Sequence, residues 1–230
     1  NKEYNFYFLK NLLDILNKSL IQRVYEQCLK SKKLDDVIVA TDDYRIYNHV
    51  LEFKGKVMMT SKEHQTGTER CNEVAQKLNA KFDVIINIQG DEPFISPLQI
   101  NELIKLFNNP ETQIGTLAKK TEELEIVKDE NIPKAILDKE GNAINFCRKI
   151  TEISPNETYY QHVGIYGYRN DILKRICRLS QSKNELEESL EQLRWLDNDY
   201  KIKVGITNLK ALSVDTAEDI KKIKAQNKIK

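Results

Sequence analysis

The sequence lacks long apolar runs and any cluster of cysteines. No stretch approaches the roughly 20 apolar residues that a membrane-spanning helix needs, and the N-terminus lacks the charged and then apolar layout of a signal peptide. The four cysteines in 230 residues are widely spaced, without a Cys-x-x-Cys pair or a zinc-type Cys/His spacing. These absences predict a cytoplasmic protein with reduced cysteines.

The chain also lacks an excess of charge of either sign and several common catalytic motifs. Its 36 Lys and Arg residues nearly balance 35 Asp and Glu residues, and no basic block is present that would follow a phosphate backbone. No Gly-x-Ser-x-Gly elbow, Walker loop or His-Glu-x-x-His zinc motif occurs. We therefore expect small-molecule substrates, with neither nucleic acid nor a membrane as partner.

Residues 35–118 alternate short β-branched runs with amphipathic helical patterns. Alternation of this kind is typical of parallel βαβ units. Strands are predicted at 37–40, 57–59, 84–89 and 114–118. The intervening helices are predicted from apolar residues on one face: Ile46, His49, Val50, Phe53; Cys71, Val74, Ala75, Leu78; Ile100, Leu103, Ile104, Phe107. The pattern predicts an α/β fold with a mostly parallel, Rossmann-like sheet.

The rhythm changes from about residue 121. Apolar runs at 134–137 and 143–147 flank the sequence DKEGN at 138–142, which has the turn chemistry of a β-hairpin. We predict a single domain, 1–230, in which residues 121–168 form a small antiparallel insertion. An insertion of this kind often builds a subunit interface or covers a substrate, and we expect a homodimer.

The last third of the chain returns to mixed elements. Strands are predicted at 162–168 and 202–206, and one helix is predicted around Ile172. Leu186, Leu190 and Leu193 predict a second helix, and Thr216 with Asp219 gives the last helix a start that resembles a capping box.

Two aspartates follow strand or turn positions at which α/β sheets place their chemistry. Asp91 lies near the end of the run IINIQGDEP at 85–93, and Asp215 lies in VDTAED at 214–219. If both reach one sheet edge, the two carboxylates can share a magnesium ion, which prefers few carboxylates plus phosphate oxygens. Taken singly, either aspartate is better explained by a turn or a helix cap.

Three further segments carry polar side chains that have more than one explanation. HQTGTER at 64–70 places hydroxyl groups and an arginine at a helix N-terminus, which favours an anion, although a plain cap with a surface Glu-Arg pair explains it equally well. EESLEQLR at 187–194 is the type of charge run that is usually a solvated face. His49 is predicted to be a core histidine, and His162 precedes a strand with too few glycines for a dinucleotide motif.

Taken in order, the motifs resemble one enzyme family. VATDD (39–43), HQTGTER (64–70), NIQGDEP (87–93), KAILD (134–138), HVGIYGY (162–168), LEQLR (190–194) and VDTAED (214–219) are similar to the 3-deoxy-manno-octulosonate (Kdo) cytidylyltransferases, the CMP-Kdo synthetases of lipopolysaccharide biosynthesis. The resemblance runs from about residue 10 to residue 224. It implies a magnesium-dependent attack of the anomeric hydroxyl of Kdo on the α-phosphate of CTP, with pyrophosphate leaving.

The resemblance also implies roles for individual residues. Asp91 and Asp215 would bind Mg2+ and, with Lys10, act in catalysis. Lys10, Thr68 and Arg70 would bind the nucleotide. The acid sugar would meet a set of polar side chains: Gln89, Arg148, His162, Tyr166, Glu191 and Gln192.

The sequence departs from the family pattern at two places. The family begins with an Arg-, Ser- and Gly-rich phosphate loop that ends in Pro-Gly-Lys, and Lys10 is the only residue here that matches it; NFCRKI at 145–150 differs around Arg148. Two alternatives therefore stay open. One is a non-catalytic nucleotide- or sugar-binding homologue, and the other is a cytidylyltransferase for a different acidic sugar.

Overall fold

The computed structural model describes residues 10–78, 82–150 and 158–209, and these form two compact units. The first unit takes the described residues of Asn1–Val74 together with Ile88–Ile100. The second takes those of Ala75–Asn87 and Asn101–Lys210. The prediction of a single domain stays a prediction.

The first unit begins with a tight hairpin that the sequence analysis did not predict. A 3-10 turn at Lys10–Leu12 leads into strands β1 (Asp14–Ile15) and β2 (Lys18–Ser19), which pair antiparallel. The two residues between them, Leu16 and Asn17, have φ angles of 55° and 68°. Two successive left-handed residues match the twist of a two-residue hairpin, so the chain reverses at once into helix α1.

Helix α1 (Leu20–Leu29) is followed by a short parallel βαβ unit, which was predicted. The elements of the unit are β3 (Val39–Thr41), α2 (Tyr44–Glu52) and β4 (Val57–Met59). Strands β3 and β4 pair in parallel. The Asp43 side chain caps α2 by accepting a hydrogen bond from the Arg45 backbone. The predicted apolar face of α2 packs here, with Val50 fully buried against Ile21 and Tyr25 of α1.

His49 differs from its prediction as a core residue. Its side chain is 30% exposed, and both ring nitrogens have partners: Nε2 lies 2.8 Å from Ser19 Oγ and Nδ1 lies 3.0 Å from a Glu52 carboxylate oxygen. His49 therefore links α2 to the start of α1 through polar contacts.

Two helices lie where the chain passes from one unit to the other. Helix α3 spans Gly67–Lys77 and α4 spans Pro97–Leu106. The start of α4 agrees with its prediction, since the Ser96 hydroxyl accepts a hydrogen bond from the Leu98 backbone.

The second unit contains a six-stranded mixed sheet. Its strands are β5 (Val84–Asn87), β6 (Ile114–Thr121), β7 (Lys134–Leu137), β8 (Ala143–Cys147), β9 (Tyr159–Arg169) and β10 (Ile202–Ile206). The order is β10-β6-β9-β7-β8, and β5 also pairs with β9. Strand β10 is parallel to β6, whereas β9 pairs antiparallel with β5, β6 and β7. The α/β class is confirmed.

The predicted hairpin in the insertion is confirmed as β7 and β8. Asp138 N donates to Asn142 O at 2.9 Å, and Gly141 adopts a φ of 77°, a conformation that glycine adopts without strain. The hairpin tip reaches the other end of the sheet, because Val204 N donates to Gly141 O and Asn142 forms a bridge with Lys203.

The helices of the second unit are short. They are α5 (Leu124–Lys128), α6 (Asn170–Ile176), α7 (Lys183–Glu188) and α8 (Gln192–Leu196). The single helix predicted from Leu186, Leu190 and Leu193 is wrong, because Ser189 adopts a φ of 53° and separates α7 from α8. The helix predicted at Thr216 lies outside the described residues. Within those residues, no helix is both long and apolar enough to cross a membrane.

Candidate active site

The acidic turn at residues 88–93 places Asp91 beside Lys10. Lys10 Nζ lies 3.0 Å from Asp91 Oδ2, and the side chains are 16% and 32% exposed. Gly90 permits this arrangement, since a Cβ there would lie 3.0 Å from Asn11 Oδ1. The turn itself is closed by Glu92 N donating to Gln89 O at 3.3 Å.

Asp91 offers the kind of ligand that magnesium prefers. Its carboxylate is partly exposed, and within the part of the chain that the structure describes only Oδ2 accepts a hydrogen bond. The second predicted ligand, Asp215, lies outside the described residues. No group of three or more His, Cys, Asp or Glu side chains among the described residues is arranged to hold a metal. A Mg2+ ion that takes its other ligands from phosphate and water does not require such a group.

Arg70 is held at the N-terminus of α3 by polar contacts. Its Nη1 donates to Thr60 Oγ1 at 2.8 Å and to Ser61 O at 3.0 Å, and Nη2 lies 3.0 Å from Asp42 Oδ2. These contacts use three of the five N–H donors of a guanidinium, so two have no partner among the described residues and can bind an anion. Asp42, in the VATDD segment, is a positioning residue that the sequence analysis missed.

The loop before α3 is fixed by two glutamates of that helix. Gln65 N donates to a Glu69 carboxylate oxygen at 2.7 Å, and Ser61 N donates to Glu73 at 2.8 Å. His64 also contacts the same Glu73 oxygen through Nε2. The plain helix cap of the alternative interpretation is confirmed, because Glu69 N donates to Thr66 Oγ1 at 3.2 Å. The surface Glu69-Arg70 pair is wrong, because each side chain has other partners. Thr68, two residues into the helix, is 2% exposed.

Strand β9 carries His162 and Tyr166 close together. The two ring centroids are 5.4 Å apart, although residues four apart on a regular strand are separated by about 13 Å. The register with β6 shifts between Thr116 and Leu117, and this β-bulge brings the two rings together. Sequence alternation does not reveal such a shift.

Burial sets the protonation of both rings. Burial lowers the pKa of His162 to about 4, so the imidazole is neutral at pH 7. Burial raises the pKa of Tyr166 well above its usual value, and the negative charge of Glu191 adds to the effect. The Tyr166 hydroxyl is thus a neutral donor, and it has no hydrogen-bond partner among the described residues.

Gln192 adds a second buried donor. It begins α8 and is 4% exposed, and its Nε2 has no partner within the described ranges. A buried polar group left unpaired costs about 1–3 kcal/mol. Tyr166 and Gln192 therefore both have hydrogen-bonding capacity that a ligand can use.

A buried ion pair connects α8 to α7. Arg194 and Glu185 have side-chain exposures of 4% and 7%, and Arg194 Nε donates to Glu185 Oε2 at 2.7 Å. Glu185 also completes a capping box with Ser182 at the start of α7. The interpretation of residues 187–194 as a solvated face is wrong for Arg194, which is a structural cation.

Arg148 has partners of a different kind from those predicted. Its Nε donates to Glu188 O at 2.8 Å, and its terminal nitrogens lie 3.3–3.4 Å from three further backbone carbonyls. The carbonyl of Arg148 in turn accepts from Lys134 Nζ at 2.8 Å. Lys134 is 1% exposed, and burial lowers its pKa. In the structure the Arg148 side chain binds backbone carbonyls of neighbouring segments. Its contact with a sugar carboxylate stays a prediction.

The predicted sugar-binding residues divide between the units. Gln89 belongs to the first unit and is half-buried, while Arg148, His162, Tyr166, Glu191 and Gln192 belong to the second. Within the second unit the structure brings His162, Tyr166 and Glu191 together through the ring contact and the charge effect described above.

The fold and these residues define a class of nucleotidyltransferase. A family model described as cytidylyltransferase matches residues 8–203. A solved structure of CMP:2-keto-3-deoxy-manno-octonic acid synthetase in complex with CTP is similar, with a TM-score of 0.88 and 35% identity over 96% of this chain and 92% of that chain. A 4-diphosphocytidyl-2C-methyl-D-erythritol synthase from Anaerococcus prevotii, 14% identical with a TM-score of 0.64, shares the fold.

Curated relatives narrow the class. The 3-deoxy-manno-octulosonate cytidylyltransferase of Bacteroides thetaiotaomicron is 48% identical over 92% of this chain and 89% of its own length. The protein of the same name from Parabacteroides distasonis is 49% identical over 93% of this chain. The chain belongs to the 3-deoxy-manno-octulosonate cytidylyltransferase family.

Proposed function

We propose that this protein transfers the cytidylyl group of CTP to Kdo, giving CMP-Kdo and pyrophosphate for lipopolysaccharide biosynthesis. The observation that carries the proposal is identity of 48–49% over more than nine-tenths of the chain with relatives named for this activity. The similarity to a synthetase solved with CTP supports the nucleotide substrate.

On the nucleotide side, the proposal assigns phosphate contacts to Lys10, Thr68 and Arg70. Within the described ranges two N–H donors of Arg70 have no partner, and Asp42 fixes the direction of its guanidinium. Lys10 neutralises Asp91 in the structure, and its ammonium group is a suitable donor to a phosphate oxygen once substrate binds. Positioning and electrostatics supply most of the catalysis in transfers of this type.

We also propose that Asp91 and Asp215 hold Mg2+ during the reaction. The partly exposed carboxylate of Asp91 supports the first ligand, whereas Asp215 rests on the family resemblance alone. A bound magnesium ion would screen the negative charge on the phosphates.

On the sugar side, buried donors support the binding of a polyhydroxylated acid. The Tyr166 hydroxyl and Gln192 Nε2 can each donate to a sugar oxygen, and neutral His162 adds a further polar ring. Glu191 can accept from a hydroxyl group. Each bond formed here recovers part of the cost of burying an unpaired group.

A homodimer is the proposed assembly. The β7–β8 hairpin exposes two isoleucines, Ile136 at 40% and Ile144 at 61%, on the insertion predicted to form a subunit contact. Light scattering coupled to size exclusion tests this, with Ile144→Glu as the disrupting variant; a monomeric wild type would contradict it. The cytoplasmic location stays a prediction.

Pyrophosphate release from CTP and Kdo in the presence of Mg2+ tests the activity. We expect turnover by the wild type, loss of turnover with a chelator, and a fall of at least about 100-fold in Asp91→Asn, since removing one charge-stabilising group typically has that effect. Asp36→Asn is the matched control, because Asp36 pairs with the exposed Lys56 and has no assigned role. Equal rates for Asp91→Asn and wild type would rule out the metal role.

Two measurements separate the proposal from its alternatives. Calorimetric titration with CTP and Mg2+ distinguishes an enzyme from a non-catalytic homologue, which would bind at millimolar concentration or not at all. A panel of acidic sugars tests the substrate, since preference for a sugar other than Kdo would favour the second alternative.

A further inference from the structure

The β-bulge between β6 and β9 is closed by the side chain of Thr116. The register pairs Thr116 with Tyr166 and the next residue, Leu117, with Val163. The two residues of β9 between Val163 and Tyr166 therefore have no paired residue on β6. Thr116 is fully buried. Its hydroxyl lies 2.7 Å from Ile165 O and 3.3 Å from Val163 O, and it therefore takes the place of the missing ladder bonds.

The same hydroxyl lies 3.0 Å from Nε2 of His162. A threonine hydroxyl has one proton to donate, whereas a carbonyl oxygen can only accept. The short contact with Ile165 O therefore takes the Thr116 proton, and Thr116 can only accept from His162. It follows that the proton of the neutral imidazole lies on Nε2 and that Nδ1 carries a lone pair.

The rings on either side keep the imidazole in place. Phe146 makes an edge contact with His162 at a centroid distance of 5.2 Å, and Tyr166 lies at 5.4 Å. Among the described residues, Nδ1 of His162 has no hydrogen-bond partner. The imidazole thus presents an acceptor beside the Tyr166 ring, whose hydroxyl has no hydrogen-bond partner among the described residues.

We propose that Thr116 is a positioning residue that holds His162 as its Nε2–H tautomer, so that Nδ1 accepts a hydrogen bond from a hydroxyl group of the acid sugar. The identity of the sugar ligand rests on the proposed function, whereas the tautomer of His162 rests on the hydrogen-bond geometry of Thr116. Together the two buried donors and one acceptor complement a substrate rich in both carboxylate oxygens and hydroxyl groups.

Three variants test the assignment. Thr116→Val removes the hydroxyl and keeps the branched shape, while Thr116→Ser keeps the hydroxyl. Thr121→Val is the matched control on the same strand, because the Thr121 hydroxyl accepts from Glu123 N at 3.2 Å and lies away from the bulge. Nitrogen-15 NMR with labelled histidine reads the tautomer directly. The chain has three histidines, and the His162→Gln spectrum assigns the relevant signal.

In the wild type we expect a protonated-type shift at Nε2 and an unprotonated-type shift at Nδ1. Thr116→Val should lose this pattern and raise the KM for Kdo about tenfold, as expected for one neutral hydrogen bond, with the KM for CTP unchanged. Thr116→Ser should restore both readouts, and Thr121→Val should change neither.

A proton on Nδ1 in the wild type would overturn the proposal, as would a Thr116→Val protein that keeps both its tautomer and its KM for Kdo. If Thr116→Val fails to fold, the wild-type spectrum and Thr116→Ser still decide the matter. Absence of CMP-Kdo formation by the wild type would refute the proposed function instead, and the tautomer remains measurable without turnover.

Discussion

Neutralising Glu185 should destabilise the second unit strongly, because it leaves Arg194 buried without its counter-ion. Glu185→Gln keeps the size of the side chain and its ability to complete the capping box with Ser182, so the change isolates the charge. Arg194 is 4% exposed in its side chain. Removal of one partner from a buried pair typically costs 3–5 kcal/mol, and the retained amide places the expected loss near ~3 kcal/mol.

Trp195 makes the assay direct. It is the one tryptophan of the chain, it is 1% exposed, and it follows Arg194 in α8. Urea unfolding followed by its fluorescence therefore reports on the region that changes. If the free energy of unfolding falls by about 2 kcal/mol per molar urea, the urea concentration at the unfolding midpoint should be lower by about 1.5 M in Glu185→Gln.

Two comparisons make the result decisive. Glu187→Gln removes an exposed partner of Lys183 on the same helix and should cost only ~0.3–0.5 kcal/mol. Adding Arg194→Met to Glu185→Gln removes the stranded charge, so the double variant should be more stable than Glu185→Gln alone. An unfolding midpoint for Glu185→Gln within about 0.2 M urea of the wild type would show that the buried charge of Arg194 does not depend on the Glu185 carboxylate.

Three further predictions concern buried groups. Gly167→Ala should cost ~1–3 kcal/mol in the same unfolding assay, because its Cβ would lie 2.5 Å from the Phe107 ring; Gly164→Ala, with nothing within 4 Å, is the control and should cost less. The pKa of His162 is about 4, below the ~6.5 of an exposed histidine, so the unfolded chain binds that proton more readily. The contribution of His162 to the free energy of unfolding should therefore be complete above pH 6.5 and fall by on the order of 3 kcal/mol towards pH 4. This fall should be absent in His162→Gln. Burial raises the pKa of Cys28 to about 12, so iodoacetamide at pH 8 should label Cys28 only after denaturation, as peptide mapping would show; labelling in the native protein would contradict this.

The sequence predicted the local elements whose periodicity reflects one buried face. Strand β4 has its predicted bounds and β3 begins two residues later than predicted. Both strands and the apolar face of α2 were predictable because Val39 and Val50 are buried in one core. The β7–β8 hairpin was predictable because Gly141 supplies the positive φ that its turn needs.

The bulge and the ion pair were not predictable, for a physical reason in each case. Strand β9 is buried along most of its length, so apolar residues occur on both faces and the register leaves no pattern in the sequence. The charge of Arg194 is offset by a residue nine positions earlier across a break at Ser189, and helical spacing cannot reveal such a partner.

In the candidate site, too, some features were predictable from the sequence and others were not. The order of motifs identified the family, and comparison with relatives confirmed it. The contacts of Arg148 with carbonyl groups and of Arg70 with Asp42 depend on loop packing. Sequence spacing does not encode those contacts.

The contact between the hairpin tip and β10 has a consequence for solubility. A sheet with the order β10-β6-β9-β7-β8 would ordinarily expose two rows of unpaired backbone groups to other molecules. Here Val204 N is already occupied by Gly141 O, and Lys203 is bridged by Asn142. These contacts occupy backbone groups of β10, which denies a neighbouring chain part of the template on which intermolecular sheets grow.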